Sequence, residues 1–331
     1  MSAQAEAVRV RAGAGLFRLP ERGLLRVEGG DRVRWLDGML SNDITALAEG
    51  PAHSGCYALL LTRQGRIVAD FHVLLREAGF WLETSRAGAT KARETLERFI
   101  IADDVSLHDA SQEFDRLALE GPAAASVLER ALGRELPLAD EACAEVEIAG
   151  VPVVVACFGW SGAPGRQLIA PAGDGGRLAA ALLEAGAGLG LLEADAEVLE
   201  ILRIEAGTPQ LGAELDEELL PAEARLERAV STTKGCYTGQ EVVARMHSRA
   251  RVGHLLVGLK MDEGIYPQSA DEISTGGRKV GDVTSACLSA SEGPIALGYV
   301  RAAHAEPGTG VLVGGRGGRV TGLPFPVATG R

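Results

Sequence analysis

No apolar run in this chain is long enough to cross a bilayer, and the opening segment "MSAQAEAVRVRAGAG" lacks the apolar core of a secretory leader. A membrane-spanning or exported protein is therefore not expected. No CxxC pair occurs either. The five cysteines, Cys56, Cys143, Cys157, Cys236 and Cys287, are odd in number and widely spaced. That pattern argues against a disulfide framework and suits reduced thiols in a cytoplasm. Lysine is scarce, with four in 331 residues, and acids outnumber bases to give a formal net charge of −12. Such a balance disfavours broad contact with nucleic acid or an anionic membrane and leaves only a local basic patch for either. Familiar site patterns are missing as well. "GAGAG" and "GAGLG" lack the strand–GxGxxG–helix setting, no Walker A loop is present, and "GWSGA" departs from GxSxG at its last position. The six histidines show no zinc-ligand spacing.

What is present reads as a globular chain, 46% hydrophobic and 24% charged, long enough for two or three domains. Residues 65–85 alternate as a β-hairpin with Gly79 in the turn, 86–100 have helical spacing, and "IADDVSLHD" returns as a strand. A similar order recurs in "RLALEG", the helix "PAAASVLERAL" with Pro122 in its first turn, a hairpin to about residue 171, and a helix near 177–186. This predicts an α+β domain of two sheet-and-helix units over residues 1–250. A further helix, 193–209, is stopped by Gly207 and Pro209. The acidic stretch "ELDEELLPAEARLE" reads as a solvated loop and short helix. From residue 251 to 331, short strands between Gly-rich turns predict a small β-barrel domain.

Four places could carry chemistry. In "KGCYTGQE" (234–241), Thr238 and Glu241 fit a capping box, which would leave Lys234 and Cys236 as loop residues. Alternatively the helix N-terminus and the Lys234 ammonium would favour the Cys236 thiolate, as at reactive or metal-binding cysteines. Glu205 continues the stripe Val198, Ile201, Leu202, so its carboxylate needs a partner: an arginine elsewhere, or a ligand with paired N–H donors such as a pterin. Asp70 shares a strand face with Val68, His72 and Leu74, and either faces water or lines a pocket. The basic run Arg245, Arg249, Arg251, with His247 and His254, is either a helix C-terminus or an anion site.

Taken together, "KGCYTGQE", "GGDRVRWLDGMLSNDI", "RQGRIVADFHVLL", "LRIEAGTPQLGAEL", "LPAEARLERAV", "GDVTSA" and "IALGYVR" make most of the chain resemble one family. The short signature is similar to that of YgfZ-type folate-binding proteins of iron–sulfur cluster maturation and tRNA modification. The remainder is similar to the wider glycine-cleavage T-protein (aminomethyltransferase) superfamily. The resemblance implies a tetrahydrofolate site in which Glu205 reads the pterin and Asp70 lies near the one-carbon position, with Arg203 and Tyr237 beside them. It also implies a Cys236 thiolate, kept ionised by Lys234, that touches a one-carbon group or an iron–sulfur cluster held transiently. One cysteine cannot hold a cluster alone, so assembly or client proteins would be partners. The alternative is a tetrahydrofolate-dependent aminomethyltransferase or demethylase using Asp70. On the first expectation, the Cys236 sulfur and the Glu205 carboxylate share one cavity.

Overall fold

A computed structural model describes residues 2–163, 165–249, 252–262, 264 and 266–326. Among these residues the chain builds two sheets, of five and six strands, and a closed six-stranded barrel. The predicted hairpin forms from strands Ile67–Arg76 and Gly79–Ser85, with Arg76 opposite Gly79. It joins Gly55–Leu61 on one side and Arg22–Glu28 and Ser106–Asp109 on the other, all antiparallel. Leu25, Val27, Phe71 and Val73 point to the outer face, where Trp35, Leu36, Ala89 and Leu96 of helices Arg32–Met39 and Arg86–Leu96 cover them. Burial of this face supplies most of the local driving force.

The second sheet has the order Leu191–Glu193, Ala14–Arg18, Phe114–Glu120, Arg166–Pro171, Val151–Ala156, Cys143–Ile148. Helices Ala124–Leu132 and Gly175–Ala185 cover its outer face through Val127, Leu128, Leu178 and Leu182. The inner faces of the two sheets meet through Leu74, Cys143, Val154, Ala156, Phe158 and Ile169. The result is a four-layer helix–sheet–sheet–helix stack.

The expected pair of α+β units and the barrel are therefore there, but the units are interlocked rather than successive. Strand Ala14–Arg18 enters the second sheet, antiparallel to Phe114–Glu120 and parallel to Leu191–Glu193, before the chain starts the first sheet at Arg22. A helix over Ala3–Ala12, absent from the sequence reading, precedes it, and Ser2 accepts a hydrogen bond from the Ala5 N–H at its start.

The long helix runs Ala196–Ala206 and ends at Gly207, whose φ of 69° is the left-handed cap that glycine adopts without strain. Its apolar stripe packs Val198, Ile201 and Leu202 against Phe17 and Ala118 of the second sheet and Leu19 just beyond the strand Ala14–Arg18. The acidic stretch beyond it is not a solvated loop. Glu214 and Glu223 are buried because the barrel side supplies donors. Glu214 accepts from Thr284 Oγ1 at 2.8 Å and Ser285 Oγ at 2.6 Å, and Glu223 accepts from the His254 N–H at 3.2 Å. Isoleucines and tyrosines from both sides complete the junction, including Tyr57, Ile67, Ile204, Ile295 and Tyr299.

Candidate functional site

A cavity of about 430 Å³ opens where the inner sheet faces meet the helix Ala196–Ala206, and Arg22, Asp70, Trp160, Glu200, Arg203 and Leu211 are among its lining. Strand alternation puts Asp70 on the inner face with His72 and Leu74, so of its two readings the pocket-lining one holds. Tyr57, on the neighbouring strand, donates its hydroxyl to Asp70 Oδ2 at 2.9 Å. Burial first, and the Asp70 charge second, hold the Tyr57 phenol well above its usual range, so it remains a donor. His72 continues the same face, with Nδ1 2.6 Å from Glu141 Oε2 and its ring stacked 3.5 Å from that of Phe158.

Arg203 forms the floor, and its five N–H groups can be accounted for one by one. Nε and Nη2 donate to the Glu200 carboxylate at 2.8 and 2.5 Å. Nη1 donates to Thr208 O at 2.7 Å and Glu214 Oε2 at 2.8 Å, and Nη2 also reaches Ser285 Oγ at 2.9 Å. Burial works against the charge, but Glu200 and Glu214 outweigh it and hold the guanidinium above its ordinary pKa. No donor is left for a ligand, which corrects the expectation that Arg203 binds one. Arg203 instead fixes Glu200, whose side chain is 42% exposed and keeps lone pairs for two further N–H donors. Trp160 forms the facing wall, with the Arg22 guanidinium 5.0 Å from its ring centroid. Buried Glu120 anchors that wall by accepting from the N–H groups of Trp160 and Ser161 at 3.2 Å each and from Ser161 Oγ at 2.6 Å.

The remaining expected residues lie elsewhere. Glu205 is buried as anticipated, but its partner is the arginine alternative: it pairs with Arg11 and accepts from Ser289 Oγ at 2.5 Å. It lines a separate recess with Ala7, Val8, Arg11 and Ala290, because it points some 140° around the helix from Glu200. Lys234 is engaged elsewhere than at Cys236. Its ammonium is buried and donates to the carbonyls of Asp37, Leu40 and Asn42, with Asp37 Oδ1 at 3.1 Å, tying down the end of helix Arg32–Met39. Burial lowers its pKa, partly offset by Asp37. The thiol within its field is Cys56, pushed up to about 12 by burial.

Cys236 is exposed and lines a shallow surface recess with Gly38, Arg63, Thr238 and Gly239, outside the cavity that holds Asp70. The shared-cavity expectation therefore fails for both Cys236 and Glu205. Tyr237 is a buried residue of the core between sheet and barrel, beside Lys234 at 5.2 Å, and it too lies outside that cavity. The helix after the motif starts at Gln240, not at a Thr238 cap, since Gly239 turns left-handed (φ 85°) against Thr62 O and Gly65. Glu241 pairs with Arg245. Of the basic run, Arg251 lies outside the described residues, as do the side chains of His247 and Arg249. Among the described residues, no group of three or more His, Cys, Asp or Glu is placed to hold a metal ion. No helix there is long and apolar enough to span a membrane.

Sequence reasoning missed Glu200, Trp160, Arg22 and Tyr57. Glu200 carried a usable signal, its i,i+3 spacing to Arg203. Trp160 and Arg22 carried none, since they meet only through the packing of the two sheets.

Comparison with known proteins agrees with this architecture. Residues 1–234 match the GCVT N-terminal domain and 255–325 the glycine cleavage T-protein C-terminal barrel domain. An aminomethyltransferase of Streptomyces avermitilis is 32% identical, over 97% of this chain and 88% of that protein. One from Symbiobacterium thermophilum is 33% identical over 96% and 87%. The crystal structure of the glycine cleavage system aminomethyltransferase T from Bartonella henselae superposes with a TM-score of 0.85 at 26% identity, covering 98% of this chain and 89% of that one.

Proposed function

This chain belongs to the glycine cleavage T-protein family, and from that premise we propose that it binds tetrahydrofolate in the Asp70–Glu200 cavity and transfers a one-carbon unit there. The observation that carries this reading is the pair of carboxylates, Asp70 and Glu200, lining one cavity of about 430 Å³. That volume lies in the range of small-molecule sites. The cavity offers what such a ligand needs: an aromatic wall in Trp160, and a half-exposed carboxylate that can accept two parallel N–H bonds. Tetrahydrofolate, when bound, supplies the nitrogens that accept the one-carbon unit. Glu200 orients the heterocycle from a position fixed by Arg203. Asp70, steadied by the Tyr57 hydroxyl, is placed to take up and return a proton at the reacting nitrogen.

The test is turnover of an aminomethyl donor with tetrahydrofolate, followed as methylene-tetrahydrofolate. Asp70→Asn should lower kcat by about 10²–10⁴-fold, and Cys236→Ala should leave it unchanged. Glu200→Gln should weaken tetrahydrofolate binding roughly tenfold by calorimetry. Full turnover in Asp70→Asn would overturn the reading.

A second reading keeps the same folate cavity and makes the protein a YgfZ-type helper of iron–sulfur maturation. The exposure of the Cys236 thiol supports it, since a partner's cluster could reach it. It requires that Cys236→Ser abolish cluster delivery to a client enzyme while tetrahydrofolate still binds. Unimpaired delivery by the variant removes it.

A further inference from the structure

Arg116 is 7% exposed, and among the described residues none of its three guanidinium nitrogens has a hydrogen-bond partner. Its nearest aromatic ring, Phe114, is 5.6 Å away at the centroid, which offers only a weak cation–π contact. A buried charge without partners is among the costlier arrangements a fold can keep, and ordinarily it is paired. Arg116 lines a recess of about 270 Å³ together with Arg18, Arg22, Arg86, Asp115 and Gly175.

The charges there do not balance internally. Arg18 donates to Glu193, and Arg22 is doubly bonded to Glu83. Asp115 Oδ2 is taken by the N–H groups of Gly173 and Gly175 at 2.9 and 2.8 Å. Arg86 gives its Nε to the Pro20 carbonyl, and among the described residues neither Arg86 nor Arg116 forms an ion pair. Burial, aided by Arg22 and Arg86 and opposed by Glu83, pulls Arg116 down to about 10, so it is still charged at neutral pH. Leu19 and Arg22 belong to the lining of this recess and of the Asp70–Glu200 cavity alike, so the two are neighbours.

We propose that the arginine recess seats an oxyanion, and that this anion is the glutamate carboxylate of the folate whose pterin occupies the adjoining cavity. The source of the anion rests on the folate reading above; the recess itself does not. A carboxylate there accepts the donors that Arg116 and Arg86 have no other use for, and it compensates their charge. Affinity for the tail would then be built into the second sheet, on Phe114–Glu120, rather than into the pterin pocket.

The experiment compares tetrahydrofolate with tetrahydropteroate, which lacks the glutamate, by calorimetry on the full chain. Wild type should bind tetrahydrofolate about tenfold more tightly, and Arg116→Met and Arg86→Gln should each close most of that gap while leaving tetrahydropteroate affinity unchanged. Arg116→Met, relieved of an unpaired charge, should also have a higher Tm than unliganded wild type, which shows that it folds. Equal binding of the two pteridines by wild type, or a gap that survives both substitutions, overturns the proposal. If neither pteridine binds, the folate reading falls, and inorganic phosphate decides the recess. A rise in wild-type Tm with phosphate that Arg116→Met abolishes would keep the anion site but overturn the tail as its source, and no rise would overturn the site as well.

Discussion

At the scale of single residues, the signature "KGCYTGQE" divides into parts with different work. Lys234 is a structural tie, its three protons spent on three carbonyls at the end of a helix, while Cys236 is on the surface. Lys234→Met should therefore destabilise the protein by roughly 2–4 kcal/mol, because buried carbonyls lose a charged donor. Cys236→Ser should stay within about 0.5 kcal/mol of wild type, as surface changes do. Urea unfolding followed by circular dichroism separates the two, and equal losses would contradict the assignment. The sequence could not reveal this division. It showed a lysine two positions from a cysteine, but successive loop residues diverge, and only the fold shows that the lysine turns back toward residues 37–42. Asp70 was legible for a simple reason: a carboxylate within an apolar strand face is conspicuous at period two. Glu205 was legible as buried, yet burial alone does not choose between a ligand and an arginine.

At the scale of elements, helices and hairpins were readable from period and punctuation, as at Gly79 and Gly207. Sheet membership was not, because a strand's pattern does not say which partner it joins. The loop that carries Trp160 shows the same limit. It reads as a failed nucleophile motif and is instead a cavity wall held by Glu120 from the strand Phe114–Glu120. Burial raises the Glu120 carboxyl from 4.5 to about 7, against the opposing hydrogen bonds of Ser161 and Trp160. The folded state thus binds this proton more tightly than the unfolded one. Its contribution is fully present below about pH 4.5 and is lost as the pH rises through about 7, on the order of 3 kcal/mol in all. In Glu120→Gln this component of the pH dependence should vanish between pH 5 and 8 in denaturant titrations. An unchanged slope would show that Glu120 does not titrate there.

At the scale of the whole molecule, three distant segments converge on one residue, two of them on its carboxylate. Glu205 takes Arg11 from the N-terminal helix and Ser289 from the barrel, and its carbonyl accepts the Phe325 N–H near the end of the described chain at 2.9 Å. Glu205→Ala should cost about 3 kcal/mol, since Arg11 is left largely buried without its partner. Deleting residues 2–12 should cost at least as much. In neither variant should tetrahydrofolate affinity at a temperature where both are folded change by more than about twofold, given that Glu205 is outside the Asp70 cavity. Thermal unfolding and calorimetry read the two quantities separately. A large loss of affinity in Glu205→Ala would return the pterin to Glu205.

The path of the first thirty residues sets a timetable for the ribosome. Every strand of the five-membered sheet has been made once residue 109 is out, so that half can close early. Ala14–Arg18 has to wait for Phe114–Glu120 and then for Leu191–Glu193, its row of amides unspent over some hundred residues of synthesis. A chain that has emerged past residue 109 but not yet delivered Phe114–Glu120 therefore carries a naked strand beside a complete sheet, an exposed edge of the kind that chaperones and proteases recognise.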